Sequence, residues 1–154
     1  MYEISKYISY REATHSNHAD AQRLDNRPDA DSLSRMKAVA TAVFDPLREH
    51  FSKPIGISSF YRSKLLNYIV KGAPTSQHVK GEAIDIDGDI YGGVTNKEIF
   101  EFIRDNLEFD QVIAEFGAVD KPNWVHVSYS LTKNRHQVLR SLTRNGKTVY
   151  EKFT

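Results

Sequence analysis

The sequence predicts an α+β domain in which helices flank a small antiparallel sheet. Apolar residues recur at helical spacing through residues 32–50, which is typical of an amphipathic helix. Apolar and polar residues alternate in residues 83–87 and again in residues 124–128, as they do in half-buried strands. The dipeptide Asn145-Gly146 is typical of a two-residue β-hairpin turn. Together these patterns indicate a mixed fold.

The first expected helix covers residues 32–50. Asp31 or Ser32 would cap its start, and Pro46 would kink it near its end, because proline lacks the amide N–H that a helix interior uses. Residues 1–30 show no pattern clear enough to assign an element. The apolar face of the helix consists of Leu33, Met36, Val39, Ala40, Val43, Phe44 and Leu47.

Two shorter helices are expected further along the chain. One runs from Ser63 to Lys71 and stops at Gly72, and the other covers residues 96–107 with Thr95 as its N-cap. The strands would form one antiparallel sheet. They are expected at residues 54–59, 83–87, 111–115, 124–129, 138–142 and 147–150.

Length and composition set the broad class of the protein. A chain of 154 residues is large enough for one core, so we expect a single domain over residues 1–154. The net charge of +1 gives no electrostatic reason to bind nucleic acid, and no apolar run approaches the length of a membrane span. The absence of cysteine excludes disulfides and thiolate zinc sites. Residues 1–6 lack a basic region followed by an apolar stretch, so we expect synthesis in the cytoplasm without a secretory signal.

Two histidines and an aspartate form a candidate zinc site. His78 and Asp85 lie seven residues apart, with Gly81 between them where the chain must turn, and His126 follows in the second alternating segment. Asp85 and His126 would project from strands, and His78 from the preceding loop. A catalytic zinc ion usually takes three protein ligands and leaves a fourth position for water, which it activates as a nucleophile. These residues therefore predict a small zinc hydrolase.

The residues around this site resemble a known family. Ser76, His78, Gly81, Ala83 and Asp85 match the Ser-X-His-X-X-Gly-X-Ala-X-Asp signature of the zinc D-alanyl-D-alanine carboxypeptidase family. That family includes peptidoglycan peptidases and phage endolysins, with the Hedgehog amino-terminal domain as a fold relative. Further similarity runs from about residue 10 to the end of the chain, at segments 44–48, 57–63, 109–116 and 134–139.

Three further residues are candidates for the catalytic machinery. Arg62 falls at the family's turn arginine, which would bind the substrate carbonyl or stabilise an oxyanion; otherwise it caps the helix at Ser63. Ser76 would hydrogen-bond a carboxylate or carbonyl of the substrate, or else serve only as a turn residue. Glu115 is the candidate general base, at the end of a strand beside that of His126; otherwise it is a solvated acid at a strand end.

The chain departs from part of the family between the last two strands of the site. Many members place a catalytic glutamate or histidine three residues before the last zinc ligand, whereas this chain has Asn123, which cannot take a proton. The connection over residues 118–123 is also longer than the usual short turn. Asp120, within this connection, is therefore the alternative to Glu115 as general base.

The resemblance implies a zinc-dependent peptidase that cuts peptidoglycan stem peptides. It would act as a D-Ala-D-Ala carboxypeptidase or as an L-Ala-D-Glu endopeptidase, by means of a metal-activated water. We expect a monomer whose partners are stem peptides, without nucleic acid or membrane. Without a signal, such an enzyme would reach the cell wall through a holin, by lysis or with a virion. The alternative is a non-catalytic zinc-containing module that binds the cell wall or a virion partner.

Overall fold

A six-stranded sheet with helices packed on one face organises the computed structural model, which describes residues 3–154. Met1 and Tyr2, where the segment considered for a secretory signal begins, lie outside the described residues. The helices are α1 Tyr10–Thr14, α2 Asn17–Gln22, α3 Ala30–Val39, α4 Asp45–Phe51, α5 Lys64–Ile69, α6 Gln77–Lys80 and α7 Asn96–Asn106. The strands are β1 Gly56–Ser59, β2 Ala83–Asp87, β3 Gln111–Glu115, β4 Trp124–Ser128, β5 Gln137–Arg144 and β6 Lys147–Lys152.

The sheet is mixed, so the prediction of a purely antiparallel sheet is wrong. Its strand order is β1-β2-β4-β3-β5-β6, and β3 and β5 run parallel while the other neighbours are antiparallel. The parallel pair arises because the chain leaves β4 and returns through residues 129–136 to lie on the outer side of β3. No local pattern in the sequence encodes that return.

The two faces of the sheet have different environments. One face carries apolar side chains that are fully or almost fully buried and pack with the helices: Ile84, Ile86, Val112, Ala114, Val125 and Val127. The alternate residues of the same strands, including Asp85 and His126, point to the other face, which is open to solvent. The expected position of Asp85, between two buried isoleucines, is therefore confirmed.

The long helix expected at residues 32–50 is present but differs in its start and its interior. Asp29 is its N-cap, since its side chain accepts a hydrogen bond from the amide of Ser32, so the predicted cap at Asp31 or Ser32 is wrong. Between α3 and α4, residues Ala40–Phe44 form a π-helical segment. The backbone is helical without a break from Ala30 to Phe51, so Pro46, which has no N–H to donate, lies inside this helix directly after the π-helical segment.

Local signals placed two elements correctly. Thr95 caps α7 in a capping box with Glu98, as the sequence predicts. Asn145 and Gly146 have φ values of 50° and 72°, as a type I′ hairpin turn requires, and they join β5 to β6. None of the helices within residues 3–154 has both the length and the apolar character needed to cross a membrane.

His78 lies on the one-turn helix α6, so its predicted place on a loop is wrong. Ser76 caps this helix, and Gly81 ends it with φ of 77°. A Cβ atom on Gly81 would lie 2.6 Å from the backbone oxygen of Ser32 and 2.7 Å from Cγ of Met36. Glycine is thus required for both the left-handed turn and the close approach to α3.

Candidate active site

His78, Asp85 and His126 converge at one point on the open face of the sheet. One nitrogen or oxygen atom from each lies within 4.8 Å of those of the other two. Asp85 and His126 are opposite each other on β2 and β4, and His78 reaches them from α6. Oδ1 of Asp85 lies 3.2 Å from Nε2 of His78 and 3.1 Å from Nδ1 of His126. The fold thus brings together the three residues expected to share one metal ion.

The hydrogen bonding of His78 turns a ring nitrogen without a proton toward the carboxylate. Nδ1 lies 2.7 Å from the backbone oxygen of Phe60, and since that oxygen can only accept, Nδ1 carries the proton. In the neutral ring, Nε2 then presents a lone pair to Oδ1 of Asp85. Two facing lone pairs repel each other, so this arrangement calls for a positive charge between them, either a proton or a metal ion. Metal-binding histidines commonly donate their other N–H to a backbone carbonyl in this way.

The donor set and its spacing fit a zinc ion. Zinc binds histidine nitrogen and carboxylate oxygen at about 2.0–2.2 Å in a tetrahedron, which separates neighbouring donors by roughly 3.3 Å. The separations of 3.2 Å and 3.1 Å from Asp85 to the two histidines agree with that value. Burial alone would raise the pKa of Asp85, but positive charge on the adjacent His78 and His126 holds it well below its usual range, and a metal ion between them would act in the same direction. The carboxyl group is therefore ionised, as a metal ligand must be.

Glu115 lies at the end of β3 with its side chain buried, and it lines the same cleft as the three candidate ligands. Its carboxylate accepts a hydrogen bond from the hydroxyl of Ser141 on β5. Burial raises the pKa of Glu115, and the Ser141 hydrogen bond offsets part of that rise. A carboxylate with a raised pKa is suited to accept a proton and to return it.

The longer connection between β3 and β4 folds into a compact turn. Ala118 pairs with Lys121 across it, and the amide of Asn123 donates to the carbonyl oxygen of Glu115 at 2.9 Å. The pairing of Glu115 with Trp124 is therefore intact despite the extra residues. Asp120, the alternative base, is exposed in this turn.

Arg62 lies in the turn after β1 and is half-buried in the cleft wall. Its backbone N–H donates to the carbonyl oxygen of His78 at 3.2 Å, which ties this turn to α6. Its buried Nε atom has no hydrogen-bond partner among residues 3–154, and burial lowers the pKa of the guanidinium group. Ser63 itself caps α5, so Arg62 is not needed for that purpose. A guanidinium group in this position can bind a carbonyl oxygen or a developing oxyanion.

Asn26 fixes the turn that carries Arg62, a role that the sequence does not reveal. Its Oδ1 accepts from the amide of Ser63 at 2.7 Å, and its Nδ2 donates to the carbonyl oxygens of Tyr61 at 3.1 Å and Thr14 at 2.9 Å. One buried side chain therefore holds the backbone on both sides of Arg62 and joins it to the end of α1. In the sequence, Asn26 belongs to a polar segment that reads as an exposed turn.

Ser76 has a structural role at the start of α6. Its hydroxyl accepts a hydrogen bond from the amide of His78 at 3.3 Å, so it positions the helix that carries this histidine. Ser76 also lines the cleft, where its expected contact with substrate remains a prediction.

An ion pair between the buried Asp110 and the exposed Arg135, at the edge of the cleft, was not anticipated. Asp110 accepts hydrogen bonds from the guanidinium group of Arg135 at 2.8 and 2.9 Å and from Nε2 of Gln77 at 3.0 Å. Gln77 directly precedes His78, so Asp110 joins α6 to the segment before β5. These three residues are far apart in the sequence, and no spacing pattern connects them.

All six expected site residues line one open cleft of about 810 Å³: Arg62, Ser76, His78, Asp85, Glu115 and His126. Trp124 and Tyr150 line it as well, and the ring of Trp124 packs at 5.5 Å from that of Phe116. The site therefore combines three candidate metal ligands, a buried carboxylate and a guanidinium nitrogen without a hydrogen-bond partner in residues 3–154, all in a cleft open to solvent.

Comparison with protein families agrees with this arrangement. A family model described as Peptidase M15 matches residues 6–128, which include all six expected site residues. Peptidases of this family are metallopeptidases and are typically zinc-dependent. Comparison with curated proteins gives no match. Since the family model spans most of the sequence, the chain belongs to the Peptidase M15 family.

Proposed function

We propose that the protein is a zinc peptidase that hydrolyses peptidoglycan stem peptides. The observation that carries this proposal is the meeting of His78, Asp85 and His126, with the His78 ring fixed by Phe60 so that its Nε2 faces Asp85. These three residues would hold the zinc ion. When bound, zinc would supply Lewis acidity, which makes water a better nucleophile and polarises the peptide carbonyl.

Two residues of the chain would move or stabilise charge during hydrolysis. Glu115 would accept the proton from the attacking water on its carboxylate and deliver it to the leaving amine, a task that its raised pKa favours. Arg62 would donate hydrogen bonds to the oxygen of the scissile carbonyl as negative charge develops there. Ser76, besides capping α6, would donate to a carbonyl or carboxylate of the substrate.

The buried carboxylate and the guanidinium group favour an enzyme over a binding module. A module that only binds the cell wall or a virion partner has no need for a buried acid, whose desolvation is unfavourable. Here Glu115 is 7% exposed and lines the same cleft as the candidate ligands. This combination supports catalysis, and digestion of peptidoglycan distinguishes an enzyme from a non-catalytic module.

The substrate class is inferred from the family and from the cleft. The cleft is open and lined by both polar and apolar side chains, which suits a short peptide with several carbonyl groups. We propose that the bond cut is D-Ala-D-Ala or L-Ala-D-Glu, that the protein acts on the cell wall as a monomer, and that it is delivered there by lysis, a holin or a virion. Its net charge of +1 gives no reason to expect nucleic acid as a partner.

Digestion of purified peptidoglycan tests the proposed function. We expect the zinc-loaded protein to release peptide fragments, identified by mass spectrometry, and a chelator to stop their release until zinc is restored. Casein should remain uncut under the same conditions. Zinc binding without any cleavage of peptidoglycan would favour the binding module and contradict the peptidase.

A further inference from the structure

A second depression adjoins the active-site cleft. Arg62, Val70 and Asp85 line both cavities and form the boundary between them. The second depression has a volume of about 360 Å³. Its other walls include the junction of α1 and α2 and the end of β1, with Ser16, Asn17, His18, Ser58 and Ser59.

One row of residues across the sheet connects the two cavities. Ser59, Asp85, His126, Ile113 and Leu139 lie opposite one another on β1, β2, β4, β3 and β5. Ser59 lines the second depression, Ile113 and Leu139 line the cleft, and the candidate ligands lie between them. The three candidate ligands His78, Asp85 and His126, here called the candidate metal group, therefore lie in the middle of a groove and not at its end.

The length of this row suits an extended peptide. Neighbouring strands are about 4.8 Å apart, so the four spacings from β1 to β5 add up to roughly 19 Å. An extended peptide advances about 3.3 Å per residue, so the row can face roughly six residues. A peptide of that length would place residues on both sides of the candidate metal group.

The wall of the second depression is firmly attached to the site. Asn26 joins the end of α1 to the turn on both sides of Arg62, and the amide of Tyr61 donates to the carbonyl oxygen of Ala13 at 3.1 Å. The depression offers hydroxyl and amide groups together with the apolar Leu66 and Val70. Such a lining suits peptide backbone and small side chains.

We propose that the second depression is a substrate subsite, so that the protein binds peptide on both sides of the scissile bond and acts as an endopeptidase. This inference rests on the proposed function and chooses between its two candidate bonds. An exopeptidase closes its groove after the terminal residue of the substrate. Here the groove continues into the second depression. Among the described residues of that depression, Arg62 is the one arginine or lysine, and it lies at the boundary between the two cavities and not at the far end.

Defined stem peptides test this inference. One peptide carries a free D-Ala-D-Ala end, and two others are extended by a dipeptide at the amino or the carboxyl end. We expect cleavage at an internal bond in all three, with kcat/KM higher by about tenfold or more for at least one extended peptide. Asn17→Trp should fill the second depression and remove this advantage of the extended peptide, measured as the ratio of the two kcat/KM values.

Asn106→Trp is the matched control, since Asn106 is an exposed asparagine at the end of α7. It should keep the wild-type ratio, and thermal unfolding should show that both variants are folded. Loss of cleavage on carboxyl-terminal extension would overturn the inference, as would equal loss on all peptides in Asn17→Trp. Failure of the zinc-loaded wild type to cut any peptide would instead contradict the proposed function itself.

Discussion

Burial distinguishes the two acids that could serve as general base. Glu115 is buried in the cleft with a raised pKa, whereas Asp120 is exposed in the neighbouring turn. Glu115→Gln keeps the shape of the side chain but cannot accept a proton. We expect it to keep its fold and its zinc and to lose roughly two to four orders of magnitude in kcat on a stem peptide. Asp120→Asn, the control, should be close to wild type, and the reverse pattern would assign the base to Asp120.

Arg62 should contribute to turnover without holding the metal. Removal of an oxyanion donor typically lowers kcat by roughly a hundredfold or more, so we expect a loss of that size in Arg62→Ala. Zinc content, measured by atomic absorption, should be unchanged. The exposed Arg27, which pairs with Asp25, provides the control variant Arg27→Ala. Wild-type turnover by Arg62→Ala would show that the arginine is only structural.

Ser141 should set the pH at which Glu115 becomes active as a base. Its hydroxyl donates to the Glu115 carboxylate and so stabilises the charged form. In Ser141→Ala that donor is lost, the pKa of Glu115 rises further, and the acid limb of the kcat/KM profile should move to higher pH. Ser128→Ala removes another buried serine hydroxyl, one without a hydrogen-bond partner in residues 3–154, and should leave the limb in place. If the acid limb of the kcat/KM profile is unchanged in Ser141→Ala, a group other than Glu115 sets that limb.

At the scale of elements, prediction from sequence succeeds where the determining residues are close in the chain. The Thr95 capping box and the Asn145-Gly146 turn are local, and both are confirmed. The convergence of the three candidate ligands could also be predicted, because His78, Gly81 and Asp85 form one short motif that sheet pairing completes with His126. The zinc ligation itself remains a proposal.

Elements and residues that depend on distant contacts could not be predicted. Helices α1 and α2 have only five and six residues, too few to be stable alone, and Asn26 joins the end of α1 to a turn beyond β1. Ser141 reads as an ordinary strand serine, since its contact with Glu115 exists only through the parallel pairing of β3 and β5. For the same reason, nothing local identifies Asp110.

The attachment of α6 to the segment before β5 should be visible in the pH dependence of stability. The Arg135 hydrogen bonds hold the pKa of Asp110 at about 2, below its ordinary value of 3.8. A lowered pKa in the folded state stabilises the protein above about pH 4, and this contribution is lost as the pH falls toward 2. It amounts to about 1–2 kcal/mol, after allowance for the half-exposed Arg135.

Urea unfolding as a function of pH measures this contribution. Asp110→Asn should lower the free energy of unfolding near neutral pH, and the difference from wild type should shrink as the pH approaches the pKa of Asp110. Asp105→Asn is the control, because Asp105 forms an ion pair with Arg104 at the surface and should contribute little. A difference that does not change with pH would show that Asp110 acts through packing alone.

At the scale of the whole molecule, the candidate metal group joins parts that are distant in the chain. His78 belongs to α6, while Asp85 and His126 belong to two central strands. The unfolded chain does not hold these three side chains together, so zinc should bind the native state in preference and stabilise it. The positive charge of a bound zinc ion would also attract both Nε2 of His78 and Oδ1 of Asp85 and so relieve the repulsion between them.

Removal of zinc should therefore lower the melting temperature. The purified protein is expected to carry about one zinc ion per chain. Zinc at about a hundred times its Kd contributes about 2.7 kcal/mol, which corresponds to a Tm shift of roughly 5–10 °C in a domain of this size. Calorimetry with and without chelator measures the shift. His126→Ala should show no shift, whereas His136→Ala, which removes an exposed histidine paired with Glu108, should respond as wild type does. Full zinc occupancy in His126→Ala would remove that residue from the ligand set, and an unshifted wild type would contradict a native-state zinc site.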